Sequence, residues 1–234
     1  MTKSVLVTGG NRGVGLEIVK GMLSEGYKVL MACRDEDAGE EAKKDIVGGD
    51  LHVIEMPLDN ESAIVDAFTR AEAVFGPIDI LINNAGVLDD TSWDEVTSES
   101  FNASMQVNVY APLTLIQQTL PKMIERGFGR IINVSSSYGS FNESLAGPFS
   151  YAISKAAVNA LTVKMASVVE KAKEEKELDV SVNSMTPGWV HTRMGGKNAP
   201  KTPEEGADTA IWLATMESDV PNGKFFKERK EIAW

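Results

Sequence analysis

The sequence is poor in the residues that cross-link chains or hold metal ions. Its 234 residues include one cysteine, Cys33, and two histidines. A single cysteine excludes an internal disulfide and is compatible with a reducing compartment. We expect neither a disulfide framework nor a bound metal.

Positive charge and long apolar runs are also scarce. Lys and Arg number 23 against 34 Asp and Glu, a formal net charge of −11, which argues against nucleic acid or an anionic membrane as a partner. No uninterrupted apolar segment approaches the ~20 residues that a membrane span needs. Strand-like sequence begins by the third or fourth residue, which leaves no room for a targeting peptide. We therefore expect a soluble, cytoplasmic protein.

What is present suits one α/β domain over residues 1–234. The chain is 43% apolar and 24% charged, and no change of composition along it marks a domain boundary. Short β-rich runs alternate with helical patterns. The strand-like segments are 4–8, 28–32, 51–56, 78–82, 130–134, 179–185 and 223–226.

The first strand-like run leads directly into a glycine-rich turn and then into a helical pattern. Strand, glycine turn and helix together aim backbone N–H groups and a helix N-terminus at a pyrophosphate. Gly9 permits the tight turn, Gly13 lets phosphates approach the backbone, and Gly15 allows close packing of the helix. The alternative is an ordinary glycine-rich hairpin. The flanking strand and helix favour the dinucleotide site.

The end of the second strand indicates which dinucleotide binds. In dinucleotide folds an acidic residue here hydrogen-bonds a free ribose 2′-hydroxyl, whereas a basic one accommodates a 2′-phosphate. The sequence has Arg34 at this point, and Arg12 lies in the glycine turn. These two cations favour NADP(H) over NAD(H). The alternative is that Arg34 is a solvated loop residue and Asp35 binds the ribose.

Polar residues follow the third and fourth strands. Asp59 is placed to cap a helix over 62–75, and its carboxylate also suits the adenine edge of a dinucleotide. The tetrapeptide Asn83–Gly86 stands at the carboxyl end of a strand, where ligand sites of α/β proteins lie. This position favours a cofactor-side role over a simple turn.

A long helical segment follows, over residues 98–126, and it contains Asn108 in its apolar pattern. Pro112 and Pro121 interrupt the segment, so we expect bends. A buried asparagine needs partners; Asn108 either satisfies the broken helix ladder or holds a water beside a site. The serines 135–137 then emerge at the carboxyl end of the fifth strand.

Tyr151 and Lys155 are four positions apart at the start of another long helical pattern. On a helix this spacing places both side chains on one face. A neighbouring cation lowers the pKa of a phenol and makes it a usable acid or base. The alternative is an exposed amphipathic pair.

The segment at about 189–203, with glycines at 195 and 196, is typical of a mobile lid over a substrate. We expect Trp189 and the tail near Phe225 to line a pocket for an apolar ketone, aldehyde or quinone. His191 is more simply a surface residue than a catalyst.

Taken in order, these motifs resemble those of the short-chain dehydrogenase/reductase family. The matching set is Thr8-Gly9-x-x-x-Gly13-x-Gly15, Asn83-Asn84-Ala85-Gly86, Asn108, Ser136, Tyr151-x-x-x-Lys155 and Pro187-Gly188. The resemblance implies an α/β fold: a single Rossmann-fold domain with a doubly wound, seven-stranded parallel sheet and helices on both faces.

The resemblance also implies roles. Tyr151 is the proton donor, Lys155 lowers its pKa and holds the nicotinamide ribose, Ser136 orients the carbonyl, and Asn108 binds a relay water. Ser137 is the alternative to Ser136. Trp189 joins Ser136 at the substrate. The implied cofactor-binding residues are Gly9, Asn11, Arg12, Gly13, Val14, Gly15, Arg34, Leu58, Asp59, Asn84, Ala85, Gly86, Tyr151, Lys155, Pro187, Gly188, Val190 and Thr192.

Within the family the sequence resembles the NADPH-dependent carbonyl reductases, for example in Ala32-Cys33-Arg34-Asp35. Monomeric members carry a long insertion before the catalytic tyrosine, which this chain lacks. A homodimer or homotetramer that pairs through the helices of Asn108 and Tyr151 is therefore expected.

The resulting hypothesis is an NADP(H)-dependent oxidoreductase that moves a hydride between nicotinamide and a small-molecule carbonyl. One alternative is a catalytically silent dinucleotide-binding regulator or sensor. Another is an epimerase or dehydratase of the same fold, although such relatives have longer chains.

Overall fold

The computed structural model describes residues 2–234, which fold around one eight-stranded sheet. The strand order is β3-β2-β1-β4-β5-β6-β7-β8. The predicted doubly wound parallel sheet is confirmed for seven strands; the eighth, which was not predicted, pairs antiparallel with β7 at the edge. The strands are β1 Ser4–Thr8, β2 Lys28–Cys33, β3 Leu51–Glu55, β4 Ile80–Asn83, β5 Phe128–Val134, β6 Asp179–Met185, β7 Phe225–Lys227 and β8 Lys230–Ile232.

Helices cover both faces of the sheet. One apolar layer joins the sheet to α3, α5 and α6, and the other joins it to α1 and α7. Burial on both faces explains why the central strands read as continuous apolar runs. The helices are α1 Gly13–Ser24, α2 Glu36–Lys44, α3 Glu61–Phe75, α4 Ser98–Met105, α5 Ala111–Arg126, α6 Phe149–Lys173 and α7 Pro203–Thr215.

The strand order reverses at β1, which pairs with β2 on one side and with β4 on the other. Chain connections leave in opposite directions on either side of such a point and open a crevice at the carboxyl ends of the strands. The glycine turn follows β1, and the Asn83–Gly86 tetrapeptide begins at the end of β4. The fold therefore brings the predicted motifs to one edge.

The predicted long helical segment over 98–126 is present without a break, and it changes its hydrogen-bond pattern part-way along. A π-helical turn, Gln106–Tyr110, separates α4 from α5, while Pro112 stands in the first turn of α5 and Pro121 stands inside it. The π-turn contains Asn108, and such turns often mark functional sites.

The cap of α3 differs from the prediction by one residue. Asn60, not Asp59, is the N-cap, and its side chain accepts a hydrogen bond from Ala63 N at 3.1 Å. Asp59 is exposed and lies one residue before the cap. Its side chain is left without a capping role.

Among residues 2–234, α6 is the one helix long and apolar enough to cross a membrane by length and composition, with a mean hydropathy of 1.2. Core helices of soluble proteins pass the same test, so this is weak evidence. Buried α6 residues such as Ala166 and Val169 belong to the apolar layer beneath the sheet.

Candidate active site

Tyr151 and Ser136 meet at the carboxyl edge of the sheet. Tyr151 is the third residue of α6 and is 8% exposed. Ser136 precedes a short 3-10 turn and its Oγ accepts a hydrogen bond from Tyr138 N at 3.2 Å. Burial raises the pKa of the Tyr151 phenol, and a hydrogen bond with the Ser136 side chain opposes that rise. The phenol and the Ser136 hydroxyl are therefore direct neighbours.

Lys155 lies one turn further along α6 and is almost fully buried. Its Nζ donates a hydrogen bond to Val134 O at 2.9 Å and lies 5.6 Å from the centre of the Tyr151 ring. Burial lowers the pKa of this ammonium to about 8. Burial is the largest influence on the Tyr151 phenol and raises its pKa. The role of Lys155 as the cation that lowers this pKa stays a prediction.

Asn108 serves the loop after β4 rather than the helix ladder. Its Nδ2 donates to Val87 O and to Ser154 Oγ, and its Oδ1 accepts from Val87 N, each at 2.9 Å. A Cβ on Gly86 would lie 3.2 Å from Asn108 Oδ1 and 3.4 Å from Lys155 Nζ. These three residues therefore converge beside Tyr151.

The other two serines of the run face elsewhere. Ser135 Oγ is buried and donates to Lys155 O at 3.2 Å. The backbone N–H of Ser137 donates to Thr186 Oγ1 at 3.2 Å. Of the three hydroxyls, that of Ser136 is the one that affects the pKa of Tyr151.

The glycine turn brings the start of α1 close against β1. Gly9 and Gly13 have φ of +62° and +54°, and a Cβ on Gly15 would lie 2.2 Å from Gly9 O. Asn84 Nδ2 donates to Thr8 O and Gly9 O, so this side chain braces the turn. Only glycine fits at position 15.

The N-terminus of α1 is left open for an anion. Its N-cap is Arg12, whose side chain makes no capping hydrogen bond, and the first turn has no acidic residue. The first N–H groups of a helix need an acceptor and carry a partial positive charge. This arrangement fits the pyrophosphate of a dinucleotide.

The two predicted phosphate-binding cations are exposed, and among residues 2–234 neither forms an ion pair. Arg12 begins α1, and Arg34 follows β2. Asp35, the alternative ribose ligand, instead caps α2 by accepting from Ala38 N at 3.3 Å. The Asp35 carboxylate, which would favour the free ribose 2′-hydroxyl of NAD(H), thus serves as the N-cap of α2.

The remaining predicted cofactor residues lie at the same edge, on the segments that follow β1, β3, β4 and β6. Leu58 precedes α3, and its carbonyl accepts from Gln106 Nε2 at 3.3 Å. Pro187 and Gly188 follow β6, and Gly188 has φ of +78°. A Cβ on Gly13 would lie 3.2 Å from Thr192 Cγ2, so the loop after β6 reaches the glycine turn. The others on these loops are Asn11, Val14, Asp59, Ala85, Gly86 and Val190.

The beginning and the end of the segment at 189–203 are hydrogen-bonded to each other. Val190 and Lys201 form an isolated parallel bridge, and His191 N donates to Lys201 O at 2.8 Å. Trp189 is 58% exposed, and its Nε1 donates to Gly195 O at 2.7 Å. The side chain of His191 is exposed, as expected for a surface residue.

Phe225 does not line the pocket that the sequence suggested. It is fully buried in β7 and stacks on Trp234, with ring centres 5.4 Å apart. That expectation is wrong, because β7 extends the sheet and turns this ring inward.

A family model for short chain dehydrogenases matches residues 3–203, most of the chain and all of the site. The chain belongs to the short-chain dehydrogenase/reductase family. Members of this family are oxidoreductases that act on small molecules, so the coarse function is that of a nicotinamide-dependent oxidoreductase.

Similar proteins include reductases of several substrates. Acetoacetyl-CoA reductase of Rhizobium meliloti is 32% identical, over 83% of this chain and 76% of its own. Carbonyl reductase [NADPH] 1 of Sus scrofa is 29% identical, over 100% and 94%. A crystal structure of NADPH-bound carbonyl reductase from chicken fatty liver superposes with a TM-score of 0.86 at 28% identity, covering 100% and 99% of the two chains. The likeness to carbonyl reductases is confirmed.

The match to the Sus scrofa protein spans 284 positions, more than the 234 residues of this chain. The relative therefore carries residues that this short-chain dehydrogenase/reductase lacks.

Large exposed apolar side chains concentrate on the loops around the site. A groove of about 520 Å³ runs between the loop after β4 and the first turn of α6; Trp93, Leu145 and Phe149 line it. The exposed apolar residues on the segments after β4, β5 and β6 and at the start of α6 are Val87, Leu88, Trp93, Tyr138, Phe141, Phe149, Trp189 and Met194.

Ser154 is a site residue that the sequence reasoning missed. It is fully buried, accepts from Asn108 Nδ2, and donates to Tyr151 O at 2.8 Å. The available signal was its position three residues after Tyr151, where a helix turns back to nearly the same face. A small polar residue at this position can be buried because its hydroxyl finds hydrogen-bond partners.

Proposed function

We propose that this protein is an NADPH-dependent, carbonyl reductase-like enzyme, with Tyr151 as its general acid and base. The observation that carries the proposal is the buried Tyr151 phenol, whose pKa responds to the neighbouring Ser136 hydroxyl, at the same edge of the sheet as the uncapped start of α1. A proton-transferring hydroxyl, a second hydroxyl and an anion-binding helix end thus lie at one edge of the sheet.

The cofactor in this proposal is NADP(H). The open N-terminus of α1 and the glycine turn would hold its pyrophosphate. Arg12 and Arg34 would hold the 2′-phosphate, since both are exposed and unpaired while Asp35 is engaged as a cap. The names of the pig relative and of the chicken structure, which specify NADPH, support this assignment.

In the proposed mechanism NADPH, when bound, supplies a hydride to the carbonyl carbon. Tyr151 donates its proton to the developing alkoxide oxygen, and the raised pKa keeps the phenol protonated until that moment. Ser136 donates a hydrogen bond to the same oxygen, as an oxyanion-hole donor does. In the oxidative direction Tyr151 accepts the proton.

Lys155 and Asn108 support the proton transfer. With a pKa of about 8, Lys155 is still charged at neutral pH and stabilises the phenolate that forms on Tyr151. We infer that Asn108, which already holds the loop through Val87, also orients a water. This water would pass a proton to Lys155 as Lys155 passes its own proton to the Tyr151 phenolate, so that both groups regain their starting states. Ser154 fixes the Asn108 amide.

We infer an apolar ketone, aldehyde or quinone as substrate. The segment at 189–203 would close over it, with Trp189 and Ser136 in contact. The concentration of exposed apolar side chains on the loops around Tyr151 supports this choice, since such side chains gain most when a ligand removes them from water.

We further infer a dimer or tetramer that pairs through the outer faces of α5 and α6. Tyr110, Val163 and Val168 are each more than 40% exposed on these helices and the adjoining turn. Light scattering behind gel filtration checks this; a single monomer peak across concentrations contradicts it.

The test of the mechanism is Tyr151→Phe, which removes one oxygen atom. We expect NADPH oxidation with the best carbonyl of a panel to fall by about 10²–10⁴-fold, while NADPH binding, followed by fluorescence, stays near wild type. Tyr27→Phe is the matched control, because Tyr27 lies at the opposite edge of the sheet between α1 and β2. Near-normal turnover by the Tyr151 variant would exclude the proposed proton transfer.

A further inference from the structure

A row of polar side chains crosses the middle of the sheet close to the carboxyl ends of its strands. Asn83 of β4, Asn133 of β5 and Ser184 of β6 are register partners on neighbouring strands. All three are buried, with at most 4% of each residue exposed. Because partners in register project from the same face of a sheet, these side chains form one line, which we call the polar row.

One hydroxyl of α6 joins this helix to the polar row. Asn83 Nδ2 donates to Asn133 Oδ1 at 2.8 Å, and Asn133 Nδ2 donates to Thr162 Oγ1 at 2.9 Å. Thr162 gives its own hydrogen to Val158 O at 2.9 Å, so it accepts a second bond from Ser184 Oγ at 2.7 Å. A hydroxyl has one donor and two acceptor sites, and Thr162 uses all three.

The three strands enter the candidate active site directly after the polar row. Next along β4 comes Asn84, which braces the glycine turn. Next along β5 comes Val134, whose carbonyl accepts the hydrogen bond from Lys155 Nζ at 2.9 Å. Two residues beyond the row, after β6, Thr186 Oγ1 accepts from Ser137 N at 3.2 Å. The polar row therefore ties together the three strand ends that form the site.

Thr162 and Lys155 lie on the same face of α6, because seven residues are close to two full turns. Near Lys155 the helix contacts the end of β5 through Lys155 Nζ and through Lys155 O, which accepts from Ser135 Oγ. Those bonds alone form a pivot. Thr162 adds a second attachment about 10 Å further along the helix, and two separated attachments fix both the direction and the rotation of a helix.

We propose that Thr162 is a positioning residue for Lys155: its hydroxyl fastens α6 to the polar row and thereby holds the ammonium in place beside the Tyr151 phenol. The inference rests on the proposed roles of Tyr151 and Lys155. Thr162 is 0% exposed, so it acts without contacting a bound ligand. A misplacement of about 1 Å costs up to roughly 10²-fold in rate.

The test is Thr162→Val, which keeps the shape of the side chain and removes the hydroxyl. Thr119→Val is the matched control, because Thr119 is 1% exposed on α5 and its hydroxyl bonds only to carbonyls of its own helix. We expect kcat for carbonyl reduction to fall about tenfold in Thr162→Val and to stay near wild type in Thr119→Val. Thr162→Ser, which keeps the hydroxyl, should restore the rate.

The pH profile separates positioning from a loss of stability. Oxidation of the corresponding alcohol by NADP⁺ needs ionised Tyr151, which a neighbouring cation favours. If the Lys155 ammonium moves away, the rise of kcat with pH should shift to higher pH in Thr162→Val and stay unchanged in Thr119→Val. Ser184→Ala, which removes one bond to Thr162, should shift the profile in the same direction by less, and it tests the inference if Thr162→Val does not fold.

The inference is overturned if Thr162→Val loses only thermal stability, or if Thr119→Val loses as much kcat. Hydrogen exchange of peptides covering residues 149–162 gives a readout that does not depend on the reaction. Faster exchange in Thr162→Val than in Thr119→Val would support the attachment of α6, and equal exchange would contradict it. An active Tyr151→Phe protein with faster exchange in Thr162→Val would refute the proposed function and leave the attachment in place.

Discussion

The helices of this protein begin in two different ways. Four of them, α2, α3, α4 and α7, are capped by their own side chains: Asp35, Asn60, Thr97 and Thr202. Of the other three, α5 continues directly from the π-turn, whereas α1 and α6 begin at Arg12 and Pro148 without any side-chain cap and without an acidic residue in the first turn. These two helices carry the glycine turn and Tyr151.

The presence or absence of a side-chain cap distinguishes the helices of the scaffold from those of the candidate site. A capped helix satisfies its first N–H groups from its own sequence, at a gain of about 1 kcal/mol. An uncapped one leaves them to a ligand or to another segment. In our account α1 leaves them to the cofactor pyrophosphate.

The largest expected effect comes from capping α1 with its own acid. Arg12→Asp should stabilise the protein alone by about 0.5–2 kcal/mol and weaken NADPH binding by roughly 10²-fold or more, since like charges about 4 Å apart repel by ~4 kcal/mol near a protein surface. Titration calorimetry measures the affinity, and thermal unfolding measures the stability.

Arg12→Ser is the control, because it adds a cap and removes the same guanidinium without adding negative charge. Equal NADPH affinity of the Asp and Ser variants would show that the pyrophosphate does not lie at this helix end.

The second effect concerns the buried cation of α6. The pKa of Lys155 is about 8 in the folded protein and 10.5 ordinarily. Between these values the unfolded chain binds more protons than the folded protein. Lys155 therefore makes the free energy of unfolding rise with pH from about 8 to 10. Below pH 8 its burial lowers the free energy of unfolding most. Lys155→Met should raise the free energy of unfolding at pH 7 by about 2 kcal/mol, after loss of the bond to Val134 O.

Denaturant unfolding of wild type and Lys155→Met from pH 7 to pH 10 measures this. Lys164→Met is the control, since Lys164 is exposed on the same helix. A gap between wild type and variant that does not narrow as pH rises would contradict the assigned burial.

The smallest effect is expected at a capped helix. Thr97 Oγ1 accepts from Ser100 N at 3.1 Å at the start of α4. Thr97→Ala should lower the free energy of unfolding by about 1 kcal/mol, or about 2–4 °C in Tm, with kcat unchanged, and Thr97→Ser should restore it. A loss of kcat at full stability would place this cap in the site as well.

Features that depend on neighbouring residues in the sequence could be predicted, whereas features that depend on contacts between distant residues could not. The glycine turn and the spacing of Tyr151 and Lys155 are local patterns, and the structure has them where they were predicted. The cap of α3 was placed at Asp59 instead of Asn60, because either side chain suits an N-cap and only the path of the chain decides between them.

Features set by distant contacts were missed. The π-turn contains Asn108, whose side chain bonds to Val87, a residue 21 positions earlier in the chain. The raised pKa of Tyr151 reflects burial by several segments, whereas the sequence offered only the nearby Lys155. The edge strand β8 is three residues long, too short for a periodic signal.

The most direct test of the central claim is NADPH oxidation by the wild-type protein against a panel of ketones, aldehydes and quinones, with NADH as the parallel cofactor. The account predicts turnover with NADPH and little with NADH. Preference for NADH would contradict the roles of Arg12 and Arg34. Tight NADPH binding without turnover of any carbonyl would contradict the proposed reductase activity and indicate a dinucleotide-binding regulator.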